Sequence, residues 1–566
     1  MTRIWTAQYD PRVPPTLSYP ETSLPHLLTR SAERFFNRPA IRFYGRSISY
    51  RELDALVNRF AQALRRTGIG KGSVVGVMLP NLPQTVIAYY GSLRAGAAVT
   101  MINPLYVEPE VRQQVADAGC ETLVAMPQMY ARVGPLLERG LLKRMIVAGI
   151  EDYLPWGKQL MYSLKARGDG ALPVTPARSE VVRFRRFLDD SAEPPAVSVA
   201  PDDMALLQYT GGTTGVPKGV VLTHRNLVSN TWQCRNWCPL DEGREVVLGV
   251  LPFFHVYGMS VCQNMALSLG STLVLLPQFQ VGDVLKIIQS ERVTVFPGIP
   301  AMYAAINAHQ RVERYGLRSV RVCISGAGPL DPSIQSRFET LTGAHLVEGY
   351  GLTEASPVTH VNPMGQAVEA RRTRSIGVPL PDTDARIMDL ETGTRELPVG
   401  EVGELAVRGP QVMRGYWQRD DETRQVLRDG WLYTGDIARR DAAGYFYIED
   451  RKKDMIKSGG ENVYTREVEE AILRHAKVKD VVVVGIPQLL RGELIKAYVV
   501  LKDGETATSA ELLEHCRCEL AKFKVPKRIE FRQELPKTLV GKVLRRVLIE
   551  EELKRGISSR GGMGEA

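Results

Sequence analysis

YTGGTTGVPKG, residues Tyr209–Gly219, packs four glycines, three threonines and one lysine into eleven positions. Glycines let the backbone turn through positive φ and approach a ligand closely. Successive N–H groups in such a loop make an anion-holding concavity, to which threonine hydroxyls add donors. Lys218 supplies a point charge suited to phosphate. A flexible turn would explain a lone glycine pair. Three hydroxyls and an ammonium between two apolar strand-like runs, Met204–Leu207 and Val220–Leu222, favour phosphate binding instead.

The stretch is not a Walker loop, which needs four residues between its first glycine and a Gly-Lys-Ser/Thr ending; here Pro217 precedes the lysine and Gly219 follows it. It resembles the phosphate loop of the adenylate-forming enzymes, the superfamily of acyl- and aryl-CoA synthetases, luciferases and peptide-synthetase adenylation domains. Further motifs of that superfamily follow in order. Leu346–Pro357 reads LVEGYGLTEASP, Trp431–Asp436 reads WLYTGD, and Glu534–Arg546 reads ELPKTLVGKVLRR. The first motif, the uncharged segment described below and this ending most resemble the long-chain fatty acid–CoA ligases.

Working outward, residues 1–190 alternate helical and strand-like patterns. Tyr50–Gly68 has helical apolar spacing and a closing glycine. Val74–Leu79 is strand-like, Pro83–Ala95 helical with proline in its first turn, Val107–Gly119 helical, and Thr122–Ala125 a buried run. This alternation predicts an α/β fold with mostly parallel sheets and helices on both faces. The polar, basic Leu164–Arg186 and the proline-rich Glu193–Asp203 predict a surface connection, with a subdomain boundary near 195. The resemblance implies a large N-terminal domain of layered α/β subdomains over 1–450, a hinge at 451–453, and a small α+β lid over 454–566. In that lid Thr465–His475 reads as helix, Val481–Gly485 and Leu494–Leu501 as strands, and Thr508 with Glu511 as a cap for Leu512–Phe523. A disordered tail is expected from about 557.

Val246–Gly282 contains no Asp, Glu, Lys or Arg and is long enough to span a membrane. Its prolines, glycines and polar residues predict instead a buried strand (Val246–Leu251), a helix (near Met259–Leu269) and a strand (Thr272–Leu276) lining an apolar cavity.

The net charge of +9 suits anionic ligands or an anionic membrane surface. Nothing singles out nucleic acid: there is no zinc-finger spacing and no basic block with interleaved aromatics. The seven cysteines match no zinc-ribbon or CxxC spacing and fit reduced cytosolic thiols. The N-terminus lacks the apolar core of a secretory signal.

The resemblance implies the site residue by residue. Thr210, Gly211, Gly212, Thr213, Thr214, Gly215 and Lys218 would hold the phosphates of ATP. Gly326 and Ala327 would wall the adenine; Glu348, Gly349, Tyr350, Gly351 and Thr353 would continue the nucleotide site. Glu354, with Thr210 across from it, would bind Mg²⁺. Asp436 would take the ribose hydroxyls, with Ile448 near the adenine and Arg451 near the ribose. His255, in the run Leu251–Gly258, would border the substrate carboxylate together with Gly326 and Gly351. Lys453 would be the hinge, while Lys457 and Gly460 would face coenzyme A. Lys542 near a helix start opposes the helix dipole, a placement that an anionic ligand would justify; it matches the family's catalytic lysine.

The implied reaction joins a fatty acid of long or medium chain to AMP, then to the CoA thiol, with lid rotation between the halves. Departures are Thr465 where the family usually has proline, Gln488 for aspartate, and Gly211 for serine. An aryl-acid CoA ligase shares every motif. An enzyme loading a carrier protein is opposed by Phe254-His255, where amino-acid-activating members carry an aspartate. A non-catalytic lipid-binding membrane protein built on the uncharged run is opposed by the retained lysines and Glu354. The expected location is cytoplasmic; peripheral contact at the inner membrane face and a homodimeric state are left open.

Overall fold

The computed structural model describes residues 3–161, 178–210, 217–365, 372–458, 461–488, 492–537 and 543–561. The chain forms two compact units. The first comprises Met1–Asp384 with Val407–Leu432, the second Ala385–Ala406 with Tyr433–Ala566. The expected hinge at 451–453 thus falls inside the second unit.

An eight-stranded sheet forms the backbone of the first unit, in the order Gly415–Tyr416, Lys218–Thr223, Met204–Thr210, Ala98–Met101, Val74–Met78, Cys120–Ala125, Arg144–Val147, Val181–Arg183. From Met204–Thr210 to Val181–Arg183 every pairing is parallel, while the two pairings at the other edge are antiparallel. Parallel strands covered on both faces read as continuous apolar runs, and all five residues of Val74–Met78 are buried. Ser49 caps the helix Tyr50–Arg66 by accepting from the Glu52 N–H at 3.1 Å. That helix packs on Pro83–Arg94, whose twelve residues are all buried. Part of the expected surface connection instead supplies the sheet's edge strand, Val181–Arg183, and its next residue, Phe184, is fully buried.

A second sheet runs Val246–Gly249, Thr272–Leu275, Pro39–Phe43, Arg46–Ser49. Val295 bridges Val247 to Val322 and so links it to Val322–Ser325, which pairs with His345–Gly351. Between the first two strands, the expected helix begins as a π-helix over Gly258–Asn264 and continues as α over Met265–Ser268. Gly258 is required there, since a Cβ would stand 2.5 Å from the Pro252 carbonyl oxygen. Every residue of Gly258–Asn264 is buried, and among the described residues no helix is long and apolar enough to cross a membrane.

The second unit carries a five-stranded sheet in which Val478–Gln488 and Gly492–Leu501 form the long antiparallel pair. Its central valines face both ways, as a strand's twofold period requires. Val481 and Val483 pack with Val468, Ile472, Leu512 and Cys516, while Val482 and Val484 pack with Tyr498, Leu535 and Leu548. Thr508 caps Ser509–Glu519 by accepting from the Glu511 N–H, so the helix starts and stops earlier than expected. The C-terminal helix Arg545–Gly561 stays helical past 557, where a disordered tail was expected. All seven cysteines are free thiols, and all but Cys518 are buried.

Buried histidines, His224 and His360 among them, tie the first unit to pH. The His224 Nδ1 accepts from the Leu24 N–H at 3.2 Å, which requires a neutral ring face, and burial pulls its pKa down to about 4. Burial lowers that of His360 to about 3. An unfolded histidine takes up its proton near pH 6.5, so the unfolded chain binds protons that these folded rings refuse. Stability contributed by the neutral rings is therefore present above about pH 6.5 and is lost as pH falls toward the folded values. By the low-pH limit that loss amounts to about 3 kcal/mol for His224 and about 5 kcal/mol for His360. Urea midpoints should accordingly fall between pH 7 and 5, and His224→Gln should flatten that dependence; an identical slope in the variant would count against this assignment.

Candidate functional site

The phosphate-loop candidate is framed by two strands in register, with Thr210 opposite Lys218. Gly211, Gly212, Thr213, Thr214 and Gly215 lie outside the described residues. The frame is anchored from both sides. The Tyr209 hydroxyl donates to Asp117 Oδ2 at 2.5 Å, and Trp417 Nε1 donates to the Asp117 carbonyl at 3.1 Å. The Trp417 N–H donates to the Gly219 carbonyl at 2.7 Å, extending the pairing of Gly415–Tyr416 with Val221 and Val220. The Lys218 ammonium pairs with the Glu422 carboxylate and lies 5.3 Å from the Tyr416 ring centroid.

Glu354 sits in a short 3₁₀ turn, Thr353–Ala355, where its backbone carbonyl accepts from the Met413 N–H at 2.7 Å. Its Oε1 accepts from the Tyr416 hydroxyl at 2.9 Å. Tyr416 therefore touches both Glu354 and Lys218, two of the expected ligands. Among the described residues no cluster of three or more His, Cys, Asp or Glu could hold a metal. One carboxylate with a nearby hydroxyl suits Mg²⁺, which keeps its waters and takes phosphate oxygens.

The glycine-rich stretch LVEGYG lies in a strand, His345–Gly351, paired with Val322–Ser325 and Val358–Val361. Gly351 is fixed by close approach, since a Cβ there would stand 2.1 Å from the Pro357 carbonyl oxygen. Glu348 Oε2 accepts from the Leu330 N–H at 3.0 Å and so holds the turn that carries Gly326 and Ala327. Ala327 holds φ 67°, a left-handed conformation costing about 1–2 kcal/mol for a residue with a Cβ. At Gly326 a Cβ would press on the Tyr257 ring at 3.0 Å. Tyr350 is partly buried, with its ring 5.9 Å from that of His360.

His255 lies in a segment held by side-chain bonds. Asn81 Nδ2 donates to the Gly249 and Leu251 carbonyls at 2.9 and 2.8 Å, and Gln208 Nε2 donates to the Phe254 carbonyl at 3.0 Å. Burial lowers the pKa of the His255 imidazole to about 4, so the ring is neutral at pH 7. Ser260 Oγ donates to the Ser356 carbonyl at 2.6 Å, joining this segment to the turn that carries Glu354.

In the second unit, Asp436 and Arg451 are cross-strand partners, their side chains 3.0 Å apart (Oδ1 to Nε). The Ile448 carbonyl accepts from Arg466 at 2.7 Å. Lys453 and Lys457 are exposed, and the Lys457 N–H donates to Glu493 at 2.8 Å. Thr465 explains its own departure from proline: its N–H and hydroxyl both donate to the buried Asp450 carboxylate, an N–H that proline lacks. Gly460, Lys542 and the side chain of Gln488 lie outside the described residues.

Asp117, Tyr416, Arg419 and Glu422 escaped sequence reasoning. The signal for the last three is Gly415–Thr423, GYWQRDDET, where two aromatics precede an acidic helix start. Composition alone does not say that Lys218 lies across from it.

A family model described as AMP-binding enzyme matches residues 28–417, and one described as AMP-binding enzyme C-terminal domain matches 467–542. A Bacillus subtilis (strain 168) protein named long-chain-fatty-acid–CoA ligase is 44% identical over 551 residues, covering 97% of this chain and 98% of that one. A feruloyl-CoA synthase of Amycolatopsis is 37% identical over 508 residues, covering 89% and 94%. Among solved structures, ATP-bound MatB from Rhodopseudomonas palustris superposes with a TM-score of 0.80 at 29% identity, covering 94% and 99%.

Gly351→Ala tests the close approach. Overpacking of this kind costs about 1–3 kcal/mol, and the variant should melt lower than the parent; an unchanged melting temperature would contradict the close approach at Gly351.

Proposed function

The chain belongs to the AMP-binding enzymes and is an AMP-forming acid–thiol ligase that activates a fatty acid with ATP to its CoA thioester, and from that premise we propose how its own groups carry the reaction. A carboxylate is a poor acyl donor because its oxygen does not leave. Attack by that oxygen on the α-phosphorus of ATP forms the acyl-adenylate and expels pyrophosphate. The CoA thiolate then attacks the acyl carbon, forming the thioester and releasing AMP. The protein must orient the reactants and meet charge developing on phosphate oxygens.

Lys218 would meet the outer phosphates, and Thr210 through Gly215 would cradle them. Glu354 and Thr210 would hold Mg²⁺, which when bound neutralises phosphate charge. Gly326, Ala327 and Tyr350 would line the adenine, and Asp436 with Arg451 would take the ribose. Neutral His255 would donate its ring N–H to the carboxylate without adding a charge of its own. Lys542 would act in adenylation, Lys457 and Gly460 in the thiol step, with Lys453 as the hinge between a large domain and a lid. The observation that carries this reading is Tyr416, which brings the expected phosphate ligand Lys218 and the expected metal ligand Glu354 to one side chain.

The acid would be of long or medium chain, supported by the uncharged and largely buried Val246–Leu276 part of the Val246–Gly282 run. An aryl acid is the second reading, favoured by the likeness to a feruloyl-CoA synthase. Peripheral contact with an anionic membrane from the cytoplasm is supported by the net charge of +9 and by exposed Trp156, Leu160 and Met161.

Thioester formation assayed across acetate, octanoate, palmitate and benzoate should be greatest with palmitate or octanoate; a benzoate optimum would select the aryl reading. Lys542→Ala should lower pyrophosphate–ATP exchange by about 100-fold or more while thioester formation from supplied acyl-AMP persists. Equal loss of both half-reactions would overturn that division of roles.

A further inference from the structure

Lys218 already has an anion at its ammonium. Glu422, in the first turn of the helix Asp420–Val426, is ion-paired with it, and the two side chains are 28% and 15% exposed. The placement is built rather than incidental. Strand Gly415–Tyr416 is paired to the strand that begins with Lys218. The Tyr416 N–H donates to Thr423 Oγ1 at 2.9 Å, and Thr423 Oγ1 donates to the Arg419 carbonyl at 2.8 Å, which fixes the helix start against that strand. Tyr416 separates the ammonium from the other acid nearby, turning its ring toward Lys218 and its hydroxyl toward Glu354. Arg419 stands beside Glu422 at 3.5 Å and reaches Asp117 at 3.9 Å. The Lys218 hydrogen bond, followed by the charges of Lys218 and Arg419, holds the Glu422 carboxyl below the usual range, so it is ionised at neutral pH.

We propose that Glu422 is the resting partner of the phosphate-loop lysine: it occupies the ammonium's anion position until the outer phosphates of a nucleoside triphosphate take it, and Arg419 receives the released carboxylate. This rests on the reading that Lys218 meets those phosphates. A triphosphate carries several charges where the carboxylate carries one, so it wins the ammonium but must displace Glu422 to do so. The contact holds the Lys218 ammonium at a fixed place in the free protein and opposes triphosphate binding by the strength of one partly exposed ion pair. Glu422 is thus a positioning residue acting through Lys218, and it discriminates by phosphate number. A nucleoside monophosphate, which has no outer phosphates, leaves the pair intact.

Titration of the full-length protein with MgATP and with AMP, alongside pyrophosphate–ATP exchange, separates the outcomes. Glu422→Gln should bind MgATP about two- to five-fold more tightly, in keeping with loss of one partly exposed ion pair, with AMP affinity unchanged. Arg419→Gln, which removes the receiver of the displaced carboxylate, should weaken MgATP binding without affecting AMP. Glu422→Asp, which keeps the charge, should return MgATP affinity toward the parent value. Equal or weaker MgATP binding by Glu422→Gln, or the same tightening for AMP, overturns the proposal. Should Glu422→Gln fail to fold, the Arg419→Gln comparison decides alone, and equal MgATP affinity there overturns it. A parent protein that binds no MgATP and exchanges no pyrophosphate would instead sink the underlying reading of Lys218, and this inference with it.

Discussion

The antiparallel ladder between Met204–Thr210 and Lys218–Thr223 is the constraint on which the rest of the first unit turns. Backbone hydrogen bonds run to the last pair, Thr210 opposite Lys218, so the intervening loop leaves from a fixed base. Each strand is then committed on its other side. One continues into the parallel sheet through Val99 and Leu206, and the other receives Gly415–Tyr416. A strand buried within a sheet cannot slip by one residue without turning its apolar side chains to the wrong face. The position of Lys218 is therefore set by a core of valines and leucines.

The uncharged segment obeys a different constraint. Its strands bury apolar side chains, yet the turn between Gly249 and Gly258 must satisfy backbone carbonyls away from water. Asn81 and Gln208, both buried amides, do this by donating to Gly249, Leu251 and Phe254. An orphaned buried carbonyl costs about 1–3 kcal/mol, so these amides make a polar turn tolerable inside an apolar layer. The same economy recurs at Ser260 and Asn230, which donate to the Ser356 and Val358 carbonyls on either side of Pro357. Packing and hydrogen bonding together hold the turn of Glu354 against the segment of His255.

Much of this was legible in the residues. The alternation of helix and strand through the first 125 residues followed from apolar spacing, and Val74–Leu79 read as a strand because a doubly covered strand is apolar throughout. The Thr508 cap was readable because its partner, Glu511, lies three residues on. What could not be read were features that depend on distant partners. The π-helix at Gly258 arises where a glycine meets the Pro252 carbonyl. The glycine-rich Glu348–Gly351 is a strand because two neighbours hydrogen-bond to it, which its turn-like composition hides. The role of Glu422 depends on a pairing across two hundred residues of chain. Thr465 looked like a deviation until the Asp450 carboxylate supplied the reason for its N–H.

The distribution of sulfur has a practical consequence. Burial pushes the thiols of Cys120 and Cys234 up to about 12, and that of Cys516 to about 11, far from the ionised form that reacts. Cys518, two positions from Cys516 on the same helix, is the exposed exception. Under native conditions an alkylating dye therefore finds a single address, on the helix Ser509–Glu519, with no engineered removal of the other six. Any second equivalent of label taken up registers an opening of the interior, so the native sequence carries its own chemical gauge of integrity.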